Sequence, residues 1–241
     1  WQDVIDTNMT AAGASWTASY AVPSNATSVD VTFYDGGSTW DGSDWQFQVA
    51  GASSPEFVMD AALDSPAFEI AEYNGMKLWA AVRGTKLYLA TWGTGPHSGI
   101  SNDHFIVLAP DLGDASAAPW PKAGSVFLGE AFRYLAAEGG NEWSGWGNLS
   151  ATGTNANSNL NETYNYLEGE IDLADEFGAI PDAFYVAVGV YGNNDGDSLL
   201  AQVPAAWDVN ENIELTEILR VPVASIRDEN ADGFFDGGNP V

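Results

Sequence analysis

Apolar residues recur at alternate positions along much of the chain, between clusters of Gly, Asn, Asp and Pro. In Ser28–Tyr34, Val29, Val31 and Phe33 point one way while Asp30 and Thr32 point the other, the pattern of a strand with one wet face. Lys86–Thr91 is more continuously apolar and is expected in a sheet buried on both sides. The same reading places strands at Trp16–Val22, Trp45–Val49, Lys77–Val82, His104–Ala109, Ser125–Gly129, Phe132–Glu138, Asn165–Asp172, Ala183–Tyr191 and Ile213–Pro222. Brief helical character is confined to Ala174–Gly178 and Ala67–Tyr73. Many short strands separated by turn residues predict an all-β fold, an antiparallel β-sandwich of jelly-roll or immunoglobulin-like type.

A small-residue stretch, Ala50–Pro55, marks the best domain boundary, and an Asp- and Gly-rich stretch follows Pro222. The chain therefore divides into a small N-terminal β-unit at 1–52, a main β-sandwich at 53–222 and a tail at 223–241. Ser150–Glu162, rich in Asn, Ser and Thr, is expected to be a polar loop. No repeat is spaced evenly enough for a solenoid or propeller.

Charge narrows the function classes. Thirty-four acidic residues face seven Lys and Arg, for a net charge of −27. No Lys or Arg precedes Lys77, and none lies between Arg133 and Arg220. Such a surface repels phosphate backbones and anionic lipid, which excludes nucleic-acid and membrane-surface partners. The chain has no 18-residue apolar run for a membrane span. Zero cysteines remove disulfides, thiolate metal sites and thiol catalysis together. A start at Trp1 without an initiator Met predicts that an upstream segment has been removed. With the acidity, this points to a secreted, extracellular protein.

Three constellations carry candidate chemistry. In Asp228–Asp236, oxygen ligands fall at the first, third, fifth and ninth loop positions (Asp228, Asn230, Asp232, Asp236), with Gly233 at the sixth. Calcium takes many hard oxygens and needs a sharp turn to gather them, and Phe234 would add its backbone carbonyl. Asn239 stands where an EF-hand has its bidentate Glu. The second is Tyr34–Trp45, where a Gly-rich loop sets Trp40 beside Asp35 and Asp41. Sugars combine apolar C–H faces with hydroxyl rims, so their sites pair aromatic platforms with carboxylate or amide acceptors. The third is Trp143–Asn148, where small residues separate Trp143 from Trp146, and Glu142 and Asn148 supply acceptors. Asn193–Asp197 is a weaker calcium candidate that reads more readily as a turn, and His104, opening an apolar strand, reads as a structural histidine. No nucleophile elbow accompanies His104, so no enzyme is expected.

Trp16-Thr17, Val22–Ala26, Val29–Phe33, Asp35-Gly36 and Thr39–Asp41 resemble the latter part of a family 25 starch-binding module. That resemblance covers residues 1–52 and implies a partial immunoglobulin-like sandwich with Trp40 stacking on α-glucan; Gly42-Ser43 stand where the family has Asn-Asn. Phe57–Asp64, Leu78–Ala81, Leu87–Thr91 and Asn102–Ile106 are similar, in their order, to DOMON/family 9 carbohydrate-binding-like sandwiches. The Ala118–Gly124 stretch belongs to the same diffuse likeness, which spans roughly 57–219. The 228–236 loop resembles a single dockerin calcium loop. Together these imply a calcium-stabilised, non-catalytic carbohydrate-binding appendage of a secreted glycoside hydrolase, with a polysaccharide or oligosaccharide of the α-glucan class as partner. The alternative is a structural or adhesive extracellular module that self-assembles, with calcium, by strand complementation at its incomplete N-terminal edge.

Overall fold

The computed structural model describes residues 10–12, 15–17, 28–31, 45–48, 56–64, 67–93, 102–141, 143–150, 155–160, 165–204 and 210–228. The chain forms two compact units, Trp1–Ser54 and Pro55–Val241. In the first, β1 (Thr10–Ala12) pairs with β2 (Ser15–Thr17), and β3 (Ser28–Val31) with β4 (Trp45–Gln48), each antiparallel.

The second unit is an all-β antiparallel sandwich. Its strands run β5 (Phe68–Tyr73), β6 (Met76–Arg83), β7 (Lys86–Gly93), β8 (Asn102–Ala109), β9 (Ser116–Ala117), β10 (Ser125–Val126), β11 (Arg133–Ala137) and β12 (Ser144–Gly147). There follow β13 (Asn155–Leu160), β14 (Asn165–Asp172), the helix α1 (Leu173–Phe177), β15 (Ala183–Gly192), β16 (Leu199–Val203) and β17 (Leu219–Pro222). One sheet has the order β13-β14-β7-β6-β5, the other β12-β11-β8-β15-β16, with β17 also on β15. Leu78, Leu89, Leu167 and Ile171 from the first sheet meet Ile106, Leu108, Leu135 and Val188 from the second in a fully buried inner core. Alternation therefore leaves each sheet a second face to cover or expose.

Some expected elements differ. Ala67–Tyr73, expected to be briefly helical, supplies β5 instead. Its Glu and Ala favour a helix in isolation, but pairing with β6 across a tight turn decides the outcome. Asn74 and Gly75 both hold positive φ, 51° and 82°, the signature of a type I′ hairpin. The Ser150–Glu162 stretch contains β13, held in register against β14 from Asn155↔Glu170 to Leu160↔Asn165. Ser125–Gly129 shortens to β10, and Ile213–Pro222 splits into a bridge at Ile213, a 3₁₀ turn at Leu215–Glu217 and β17. Residues 223–228, expected to open the tail, are packed onto the sandwich. Val223 and Ile226 are buried, and the Asp228 N–H donates to the Val82 carbonyl at 3.0 Å.

Candidate functional site

The outer face of the β13-β14-β7-β6-β5 sheet is read directly from its register. Across it, Trp79 pairs with Ala90, Ala90 with Glu168 and Glu168 with Asn157. The next row runs Lys77, Trp92, Tyr166 and Asn159. Ala90 is fully buried in one cluster with Phe57, Trp79, Tyr88 and Tyr166. The Trp79 and Trp92 ring centroids lie 6.5 Å apart at 53°. With Tyr166, Asn159, Ala61 and Leu63 they line a pocket of about 460 Å³. That volume falls in the range that takes small ligands.

The segment 56–64 closes the remainder of this face. Phe57 stacks on Tyr88 at 5.0 Å and 21°, and the Arg83 guanidinium lies 4.3 Å over the Phe57 ring. Asn157 Nδ2 donates to the Met59 carbonyl at 3.1 Å, and the Asp64 N–H donates to Tyr88 Oη at 3.2 Å. The Ala61 N–H donates to Glu168 Oε1, which holds Ala61 at φ 61°, a left-handed conformation that disfavours a side chain. The pocket wall is thus set by a carboxylate beneath it.

Glu168 is fully buried. Tyr88 donates its hydroxyl proton to Glu168 Oε2 at 2.9 Å, and the Tyr88 and Tyr166 hydroxyls are 2.8 Å apart. Burial pushes the Glu168 carboxyl up to about 7, the bonds from Tyr88 and Ala61 oppose this, and the charges of Asp64 and Asp60 add to it. Burial likewise raises both tyrosines above their ordinary value, so they remain protonated. Asp64 is raised too, mainly by burial. Each cation of this sheet acts on another carboxylate: Lys77 on Glu69 at 2.6 Å, Lys86 on Glu170 at 3.6 Å, and Arg83 on Asp228 and Asp64. What remains is an aromatic cup over a buried acid.

Sequence reasoning singled out other residues. Trp143 is 43% exposed and leans on Trp120, with ring centroids 5.7 Å apart. Gly145 lets it lie flat, since a Cβ there would come within 2.8 Å of Trp143 Cζ2. Trp146 packs instead against the inner core, its Nε1–H donating to the Asn155 carbonyl at 3.1 Å. Gly169 makes that approach possible, because a Cβ there would meet Trp146 Nε1 at 2.8 Å. The two tryptophans therefore lie on opposite faces of their sheet and form no common platform. Asn148 Nδ2 donates to the Phe132 carbonyl at 3.3 Å. Glu142, and the whole of Asp35, Trp40 and Asp41, lie outside the described residues, as do Asn230, Asp232, Phe234 and Asp236. Asp228 is fully buried, and its charge acts on Arg83.

The sequence reading gives Trp79 and Trp92 no role in a site. The signal was present: Lys77, Trp79, Ala81 and Arg83 share one face of β6, and charged residues at both ends mark it as the outer one.

His104 turns to the inner side, is 2% exposed, and its burial lowers its pKa to about 4. Asp103 and Lys122, each side chain 2% exposed, pair at 2.7 Å; Lys122 also donates to the Gly192 and Asn194 carbonyls, and Asp103 accepts from the Gly139 N–H. Arg133 and Glu176 form a second buried pair, with Ser150 bonded to both. These are structural ties. Among the described residues no group of three or more His, Asp or Glu converges to hold a metal, and no helix is long and apolar enough to cross a membrane. The chain matches no protein-family model, no curated protein and no solved structure.

Proposed function

We propose that this protein is a non-catalytic carbohydrate-binding module, taking a sugar into the pocket between Trp79, Trp92 and Tyr166. The observation that carries the reading is that pocket: two tilted indoles and a phenol ring around about 460 Å³, with Asn159 at its edge. Indole faces receive the C–H side of a pyranose, and the Asn159 amide both donates to and accepts from hydroxyls. Tilted walls suit the end of a chain or a short oligosaccharide better than the flat surface of a crystalline polymer. The acid beneath the pocket supports binding over hydrolysis. Both Glu168 oxygens are occupied by protein donors, and glycoside hydrolysis needs two carboxylates facing the scissile bond.

α-Glucan is the substrate class this proposal carries, on the family 25 resemblance of residues 1–52, within a secreted glycoside hydrolase. Calcium at the 228–236 loop is a further part of it. A calcium-dependent rise in Tm that sodium at equal ionic strength does not reproduce supports that part. Affinity electrophoresis against starch, glycogen and other polysaccharides, with the Trp92→Ala variant alongside, tests the main reading. Retention by one of them that Trp92→Ala weakens by ~1–3 kcal/mol is the expected result. Indifference of the folded wild type to every gel overturns it.

A further inference from the structure

The pocket joins three aromatic rings to a buried carboxyl that bonds to its wall at Ala61. Lys77 pairs with Glu69 and Lys86 with Glu170, while the Arg83 guanidinium acts on Asp228, Asp64 and Tyr88. The groups that face Glu168 are Asp60 and Asp64 from the covering segment, Tyr88 from β7 and Tyr166 from its own strand. Proton counting gives this cluster a direction. Tyr88 has one hydroxyl proton, and with Glu168 ionised it is committed to Oε2. Tyr88 Oη then accepts from the Asp64 N–H and from the Tyr166 hydroxyl. A phenol that donates toward an anion gains electron density in its ring, and Tyr166 is the ring that lines the pocket. Trp79 already attracts a cation at its rim, where Lys77 Nζ stands 5.9 Å from the ring centroid. Cations prefer the faces of electron-rich rings, and desolvation strengthens the preference.

We propose that the pocket selects a cationic group, and that among sugars it takes an amino sugar as its ammonium form ahead of the neutral sugar. This rests on the carbohydrate reading for the ring, but not for the charge. A neutral sugar leaves Glu168 to be protonated near neutral pH, whereas an ammonium above the cluster favours the carboxylate and expels that proton.

The test uses the whole chain and four probes: glucosamine, N-acetylglucosamine, glucose and choline. Titrations followed by tryptophan fluorescence at about pH 6, where the sugar amine is charged, compare their affinities. Glucosamine is expected to bind about tenfold more tightly than glucose or N-acetylglucosamine, and Trp92→Ala to remove that binding. Glu168→Gln is expected to erase most of the advantage. In the unsubstituted protein, carboxyl-carbon NMR is expected to show the Glu168 midpoint falling on saturation with glucosamine and unmoved by glucose, a readout independent of how the variant folds. Equal affinity for glucosamine, glucose and N-acetylglucosamine, or a Glu168 midpoint that glucosamine leaves in place, overturns the inference while the sugar reading stands. Choline and glucosamine bound alike, with both neutral sugars ignored, upholds the cationic pocket and overturns the neutral-sugar reading. Silence from all four overturns the inference, and the polysaccharide gels then judge the carbohydrate reading separately.

Discussion

On the outer face of the β8 sheet, Phe105 meets Trp120, Tyr134 and Tyr191 edge to face, with centroids 4.9 to 6.0 Å apart. On the outer face of the β7 sheet, Trp79 and Trp92 stand beside an open pocket. Both faces are rich in aromatic residues, and both run past small ones. At Gly189 on the first face, the space a Cβ would occupy is taken by Tyr191, Ile213 and Leu199, all within 3.2 Å. A long connection brings Ala118, Val126, Leu128 and Phe132 over that face, and all are buried. Among the described residues, the second face carries the 56–64 segment, whose Phe57 reaches Tyr88 but whose Ala61 and Leu63 end as pocket wall. Aromatic content alone does not mark a site. The extent of cover does.

The largest effect is expected on the closed face. Phe105→Ala should cost ~3–5 kcal/mol in urea denaturation by leaving a cavity, with ligand binding unchanged. Trp92→Ala should cost far less stability, and an equal loss there would break the contrast between the faces. Ion pairs should divide in the same way. Lys122→Ala leaves Asp103 buried without its cation and should cost ~3–5 kcal/mol.

Next in size is a pH effect that the intact protein conceals. Glu168 titrates at about 7 folded against 4.5 as its ordinary value, so the folded state holds the proton more tightly. Its contribution is present below 4.5 and is lost as pH rises to about 7. His104 is the reverse: at about 4 folded against 6.5, its contribution is present above 6.5 and is lost as pH falls to about 4. The two slopes oppose each other across nearly the same window, each worth on the order of 2–3 kcal/mol. Stability of Glu168→Gln should therefore fall with acid more steeply than wild type, and stability of His104→Phe should rise with acid. Parallel profiles for all three proteins would show that neither burial matters. The smallest effect belongs to Lys77→Ala, whose exposed pair with Glu69 should contribute under ~1 kcal/mol, and less in salt.

Most of the sandwich was legible because β-branched and aromatic runs such as Lys86–Thr91 and Ala183–Tyr191 leave few alternatives to a buried strand. β5 and β13 were not, since Glu and Ala in one, and Asn and Ser in the other, take their conformation from a partner strand. Asn74-Gly75 nevertheless advertised the β5–β6 hairpin. The pocket was harder to see. Trp79, Trp92, Tyr166 and Glu168 lie on three strands, and only the register of β6, β7 and β14 makes them neighbours. Local sequence favoured Trp143 and Trp146 because they are close along the chain, yet a spacing of three in a strand sends them to opposite faces.

The covering segment begins directly after the Ser54/Pro55 division between the two units. Mechanically, it is the first part of the sandwich to receive any tension passed along the chain from the N-terminal side. A pull from that side loads the Phe57 stack, then the bond from Asn157 to Met59 and the bond from Ala61 to Glu168, before it reaches β5. Ala61 is also pocket wall, so the same bonds that anchor the tether shape the cup. On the proposed binding reading, load on the tether and occupancy of the pocket are coupled: a ligand that braces the wall stiffens the anchor, and a taut chain reshapes the wall.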